Sequence, residues 1–186
     1  MSDTAIVGEN VEVIQTRGPR SAFTWGVVIA GALAAWAVAF ILVSLGTGIG
    51  LSISTPYSGP STTTMTIAGA IWLVFSETAA FASGGYLAAR LRIRDHIHGP
   101  ETKFRDAAHG FMAWVVGVGI LTLVLVLTGI MSAHAGATGQ ATAAAMSDEA
   151  RKAAAYLSFW SFMALLFGAV AATLAGILGG ELRDEI

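Results

Sequence analysis

The sequence contains no cysteine, so disulfide bonds, thiol catalysis and cysteine-ligated zinc are excluded. Charged residues are only 12% of the 186 residues, too few to cover the surface of a soluble protein of this size. The formal net charge of −2 gives no general attraction to nucleic acid. The sequence also shows no nucleotide-binding loop, nucleophilic serine site or two-carboxylate site. We therefore expect neither an enzyme nor a nucleic-acid-binding protein, and no cofactor.

Hydrophobic residues dominate instead, at 55% of the chain, with a mean hydropathy of +0.70. At about 1.5 Å per residue, each apolar run is long enough to cross about 30 Å of hydrocarbon as a helix. The runs lack the alternation of barrel strands. The pattern predicts an all-α, polytopic membrane domain over residues 23–180, with polar tails at 1–22 and 181–186. Its four transmembrane helices are expected at about 23–46, 65–91, 108–131 and 154–179.

The start of the first run resembles a signal peptide, because Arg17 and Arg20 precede it and Ala37-Val38-Ala39 resembles a cleavage site. The run exceeds a signal h-region of roughly 7 to 15 residues, which favours an uncleaved span. The glycine stretch that follows it, at 46–50, lacks the order of a potassium filter, and we interpret it as a helix exit. Before the fourth run, Ser147 is a predicted helix N-cap.

The basic residues predict the orientation. Only Arg151 and Lys152 fall on one side of the predicted membrane. The positive-inside rule then makes the other side cytoplasmic, with both termini there. The basic residues of that side include a group expected to contact anionic lipid headgroups, at roughly 1 kcal/mol each: Arg90, Arg92, Arg94, Lys103 and Arg105.

Small residues recur at every fourth position, which favours close helix packing in lipid. In the second span the stripe is Ser76, Ala80, Gly84 and Ala88, and in the fourth it is Ala164, Gly168, Ala172, Gly176 and Gly180. A shorter stripe, Gly26, Ala30 and Ala34, marks the first span. These stripes predict contacts inside the bundle or between subunits.

The second and fourth spans end alike, as GGYLAARLR and AGILGGELR, so that Arg92 matches Arg183. This similarity suggests two hairpins related as a parallel repeat.

Glu77 is the one acid or base deep within a predicted span. A charge at the bilayer centre costs on the order of 2.5 to 3.5 kcal/mol, so the side chain should face the bundle interior or a hydrated cavity. One interpretation is a proton or cation relay. The favoured interpretation is an interhelical hydrogen bond to an indole or to a hydroxyl such as Ser44, Thr122 or Ser161.

Histidines and acids between the second and third spans have side chains that can ligate metals. They are His96, His98, His109, Asp95, Glu101 and Asp106. A His-x-His pair on an irregular loop is common in solvated segments, so we expect no metal site.

Short motifs occur in all four spans. They are Trp25-Gly26 with Ala30-Gly31, the stretch from Gly84-Gly85-Tyr86 to Arg90, His109-Gly110 with Trp114, and Ala150-Arg151-Lys152-Ala153 leading to Trp160 and Gly179-Gly180. Together they resemble a widespread group of small bacterial inner-membrane proteins that is common in alphaproteobacteria. The resemblance implies a multi-pass inner-membrane location and supplies no established activity. Glu77 lies outside the pattern of that group.

The sequence thus predicts an inner-membrane protein that acts through helix association, as a homo-oligomer or as a structural or accessory subunit of a membrane complex. The alternative is a small oligomeric channel or transporter with Glu77 in the ion or proton path. Four helices can hardly enclose a conduit alone, so this alternative requires several copies.

Overall fold

The protein is a bundle of four long helices. The computed structural model describes residues 23–54, 59–93, 99–134 and 147–185. Its helices are α1 (Trp25–Ile53), α2 (Thr62–Arg90), α3 (Pro100–His134) and α4 (Asp148–Asp184). All four are long and apolar enough to cross a membrane, and the described ranges contain no strand. The prediction of an all-α, four-span, multi-pass membrane protein is confirmed. The predicted tail 1–22 lies outside the described residues.

The helices extend beyond the runs predicted from hydropathy. Helix α1 continues through Gly46–Gly50 and ends at Ile53, so the predicted helix exit at these glycines is wrong. Helix α4 continues to Asp184, so most of the predicted tail 181–186 is helical. Hydropathy identifies only the part of a helix that crosses the hydrocarbon. Backbone hydrogen bonds can continue the helix beyond that apolar part.

Helix α3 begins within the segment that we expected to be an irregular loop. Gly99 has φ +100°, a conformation that glycine adopts readily, and Pro100 opens the helix. Proline suits this first position because its φ is already helical and its missing N–H would have no partner there. At the start of α4, the Ser147 hydroxyl accepts a hydrogen bond from the Ala150 N–H at 3.2 Å, which confirms the predicted cap.

Helices α2 and α3 form the centre of the bundle, because each of them contacts all three other helices. The most extensive contact joins α2 to α4, and α1 packs against both α2 and α3. Helices α1 and α4 lie on opposite sides of the central pair. Since consecutive helices are antiparallel, α2 and α4 end at the same end of the bundle, where α1 and α3 begin. We call this the arginine-rich end.

The small residues let helix backbones meet. All nine predicted positions in α2 and α4 are buried, namely Ser76, Ala80, Gly84, Ala88, Ala164, Gly168, Ala172, Gly176 and Gly180. The stripe predicted for α1 does not make the contact inside the bundle, since Gly26 and Ala30 are exposed and Gly31 and Ala35 meet α2 instead. Its contact between subunits stays a prediction. A Cβ at Gly31 would lie 2.5 Å from the carbonyl oxygen of Gly84. Backbone therefore packs directly on backbone between α1 and α2.

Two indole rings fix α1 against its neighbours. The Trp72 Nε1–H donates to the carbonyl oxygen of Leu42 at 3.0 Å, and its ring occupies the space that a side chain at Gly46 would need. The Trp36 Nε1–H donates to the carbonyl oxygen of Gly117 in α3 at 3.1 Å. Gly46 therefore serves helix packing.

Candidate functional site

Three charged side chains meet inside the arginine-rich end and form an ion cluster: Arg92, Asp106 and Arg183. Arg92 follows α2, Asp106 lies in the second turn of α3, and Arg183 lies in the last turn of α4. The Asp106 Oδ1 atom lies 3.0 Å from Nε of Arg92. Nη1 and Nη2 of Arg183 donate to Oδ1 and Oδ2 of Asp106 at 3.1 and 3.2 Å. Asp106 is only 2% exposed, so one buried carboxylate joins three helix ends.

Glycines of α4 make this close approach possible. At Gly180 a side chain would collide with the Asp106 carboxylate, and a Cβ at Gly176 would lie 2.7 Å from the Asp106 carbonyl oxygen. The arginine also serves the backbone, since Nη1 of Arg183 donates to the carbonyl oxygen of Ala89 at 3.0 Å. The same carbonyl oxygen accepts the Arg92 N–H at 3.2 Å, so the side chain of Arg183 adds a second bond at the end of α2.

The ion cluster corrects one predicted site residue. Arg92 is 4% exposed and bound to Asp106, so the predicted headgroup contact of Arg92 is wrong. Lys103 and Arg105 form ion pairs at the surface, with Glu181 at 2.7 Å and Glu101 at 2.8 Å. Their headgroup contacts, and that of half-buried Arg90, stay predictions. Arg94 lies outside the described residues.

The sequence comparison aligned the two arginines of the ion cluster with each other but did not identify Asp106 as the partner that they share. Arg92 and Arg183 occupy equivalent places in the similar ends of α2 and α4, and both bind Asp106. From the sequence, Asp106 is only one of several side chains that can ligate a metal. His109, also buried, lies three positions further along in a segment whose composition is typical of a polar loop. The burial of Asp106 follows only from the start of α3 at Pro100.

His109 holds the start of α1. The imidazole is fully buried, with Nδ1 2.7 Å from the Arg105 carbonyl oxygen and Nε2 accepting from the Thr24 N–H at 3.2 Å. These two bonds assign the proton to Nδ1 of a neutral ring. The Phe23 ring stacks on it at a centroid distance of 4.4 Å. Since Thr24 makes no side-chain cap, His109 supplies an acceptor from another helix.

Metal ligation finds no support in the part of the chain that the structure describes. No group of three histidine, aspartate or glutamate side chains there is placed to hold an ion. Both nitrogens of His109 are engaged by backbone groups, and Asp106 binds the two arginines. The loop residues Asp95, His96 and His98 lie outside the described residues.

Glu77 lines a cavity of about 200 Å³ between α1, α2 and α3. The cavity is otherwise apolar, and its lining includes the rings of Trp36, Phe40 and Phe81. Among the described residues Glu77 makes no hydrogen bond. The hydroxyls of Thr122 and Ser161 donate within their own helices, to Val118 and Leu157. The interhelical hydrogen bond that we expected for Glu77 is therefore wrong, while its predicted position against the bundle agrees with the structure.

Comparisons with protein-family models, with curated proteins and with solved structures found no match to this chain.

Proposed function

We propose that the protein is a component of the bacterial inner membrane that acts by lateral association, as a homo-oligomer or as a structural or accessory subunit of a larger membrane complex. In this proposal the arginine-rich end and both termini face the cytoplasm, as the distribution of basic residues predicts. The lipid bilayer is its immediate partner.

One observation carries the proposal: the buried charged groups of the described chain bind partners inside the bundle. The buried charges of the ion cluster bind one another, and His109 binds backbone groups of α1 and α3. Along its spans the bundle presents a mostly apolar surface, with large exposed side chains such as Phe40, Ile71, Phe162 and Leu174. A rigid rod bundle with an apolar exterior interacts through the membrane plane, by packing rather than by hydrophobic gain.

Subunit counting in bilayers tests the proposal. Fluorescently labelled chain is reconstituted at decreasing protein-to-lipid ratios, and photobleaching steps are counted for single spots. We expect a fixed copy number above one that persists on dilution, or a fixed copy number in a complex isolated from the native membrane. A chain that is monomeric at every ratio and in its native membrane would contradict the proposal.

A second candidate function, a small oligomeric channel or transporter, is favoured by one specific observation. Glu77 is a half-buried carboxylate at membrane depth, and no other described side chain bonds it. Ionisable groups in such places commonly mark ion or proton paths.

Liposome flux separates the two functions. We expect vesicles that contain the purified chain to move protons or alkali cations no faster than empty vesicles. If they do conduct, and Glu77→Gln abolishes conduction while the copy number is unchanged, the channel function replaces the associative one.

A further inference from the structure

We propose that the Glu77 cavity is a binding site for a lipophilic organic cation, a substituted ammonium ion that reaches it from the bilayer. The inference rests on neither proposed function, because binding at this cavity requires neither self-association nor transport.

The cavity combines one carboxylate with three aromatic rings. Glu77 of α2 supplies the negative charge, Trp36 and Phe40 come from α1, and Phe81 comes from α2 one turn beyond Glu77. Aromatic faces attract cations through the ring quadrupole, most strongly where water is excluded, and this is how proteins recognise quaternary ammonium groups. The remaining lining is aliphatic, which suits the carbon substituents of an organic cation better than the water shell of a metal ion.

Two of the three rings, Trp36 and Phe81, are held in place before any ligand arrives. The Trp36 indole is fixed by its bond to the Gly117 carbonyl oxygen at 3.1 Å. Phe81 is buried and packs on two glycines, since a Cβ at Gly117 or at Gly168 would lie 2.8 Å from its ring. A preformed site loses little side-chain entropy on binding.

The cavity opens sideways toward the lipid. Phe40 at its rim is 75% exposed, and its neighbour Val43 is also exposed. Both lie within the apolar span of α1. A ligand must therefore partition into hydrocarbon before it enters, which requires apolar substituents around the charge.

A countercharge for an ionised Glu77 would have to come from outside the chain. The ten basic residues lie in the tails, the connections and the helix ends, and the central part of every span lacks one. A second copy packed on this face would thus offer Glu77 no cation at its depth, whereas an ammonium ion would offset the cost of holding the carboxylate charged there.

Calorimetric titration of the full chain in phosphatidylcholine nanodiscs tests the site, with benzyltrimethylammonium as the probe and empty nanodiscs as the blank. We expect saturable binding at one site per chain. Glu77→Gln should weaken it at least about tenfold through loss of the ion pair, and Phe40→Leu roughly threefold through loss of one cation–π contact.

Matched variants and an uncharged competitor complete the test. Glu149→Gln removes an exposed acid outside the cavity, and Phe75→Leu alters an exposed phenylalanine of α2 outside it, so both should bind like the native chain. Neopentylbenzene has the shape of the probe without its charge and should not displace it. Equal displacement by neopentylbenzene, unchanged affinity in Glu77→Gln, or no saturable binding would each overturn the proposal. Should Glu77→Gln not fold, Phe40→Leu and the competition decide.

Discussion

The Asp106 carboxylate holds two guanidinium groups at the meeting point of three helices. Burying charges costs several kcal/mol per ion unless partners and hydrogen bonds offset the lost water. Here each arginine is offset by the one carboxylate between them, and Arg183 also donates to the exposed carboxylate of Asp184 at 2.9 Å. Removal of the central anion should therefore cost more than removal of an ordinary surface partner.

We expect Asp106→Asn to lower the free energy of unfolding by about 3–5 kcal/mol, because it leaves two arginines buried beside each other without their shared anion. Denaturant unfolding in detergent micelles, followed by tryptophan fluorescence, measures the loss.

Glu101→Gln is the matched control for this change, since it removes a carboxylate from the same helix. Its pair with Arg105 is exposed, so we expect a loss below about 1 kcal/mol. Equal effects of the two variants would contradict the central role of Asp106.

His109→Phe tests the bond to the start of α1. Phenylalanine keeps a ring that can stack on Phe23 but accepts no hydrogen bond, so the Thr24 N–H loses its partner. Leaving a buried donor unpaired costs about 1–3 kcal/mol, and we expect amide exchange at residues 24–26 to accelerate accordingly. Hydrogen–deuterium exchange by mass spectrometry measures this, with the centre of α2 as the internal reference. Unchanged exchange at the start of α1 would show that His109 does not hold it.

The candidate site could be predicted only in part. Glu77 stood out because it is the lone acid far from any span end. Asp106 did not, since its partners are 14 and 77 residues away along the chain and no short pattern joins an acid to arginines so distant. Its burial depends on where α3 begins and on the room that Gly180 leaves beside it.

The packing between helices could also be predicted only in part. The stripes of α2 and α4 were visible from their spacing, because each helix has one dominant row of small residues. Helix α1 carries small residues on several faces, so spacing alone could not distinguish Gly26 and Ala30 from Gly31 and Ala35. The position of α2 determines which face of α1 packs, since Gly31 is the residue that meets Gly84.

Two glycines of α2 give a matched test of this contact. A Cβ at Gly84 would lie 2.6 Å from the Gly31 carbonyl oxygen, whereas one at Gly69 would meet nothing within 4 Å. We expect Gly84→Leu to lower the free energy of unfolding by about 1–3 kcal/mol or more, because α1 and α2 must separate. Gly69→Leu should leave it within about 0.5 kcal/mol. Detergent-micelle unfolding of both variants decides, and a Gly84→Leu protein as stable as Gly69→Leu would refute the close contact.

The architecture of the molecule was the most predictable part. Hydropathy identifies four crossing helices because backbone groups in hydrocarbon must bond within their own segment. It does not reveal which helices are central, since lipid and protein interiors are equally apolar and side chains of similar hydropathy suit either. Close glycine contacts and the buried ion pairs determine how the other helices pack around α2 and α3.

The proposed orientation is testable because the natural chain has no cysteine to interfere. Glu101→Cys places an exposed thiol at the arginine-rich end, and Glu149→Cys places one at the opposite end. In intact spheroplasts we expect a membrane-impermeant maleimide to label Glu149→Cys and to label Glu101→Cys only after permeabilisation. The reverse pattern would invert the assigned topology.

The ion cluster also imposes an order on biogenesis. Its members leave the ribosome as Arg92, then Asp106, then Arg183, so each new helix delivers a charge opposite to the one before it. A nascent chain that stops after α3 holds an aspartate with only one of its two guanidinium partners. The buried carboxylate therefore gains its second partner only when the last helix is made and packs beside α3.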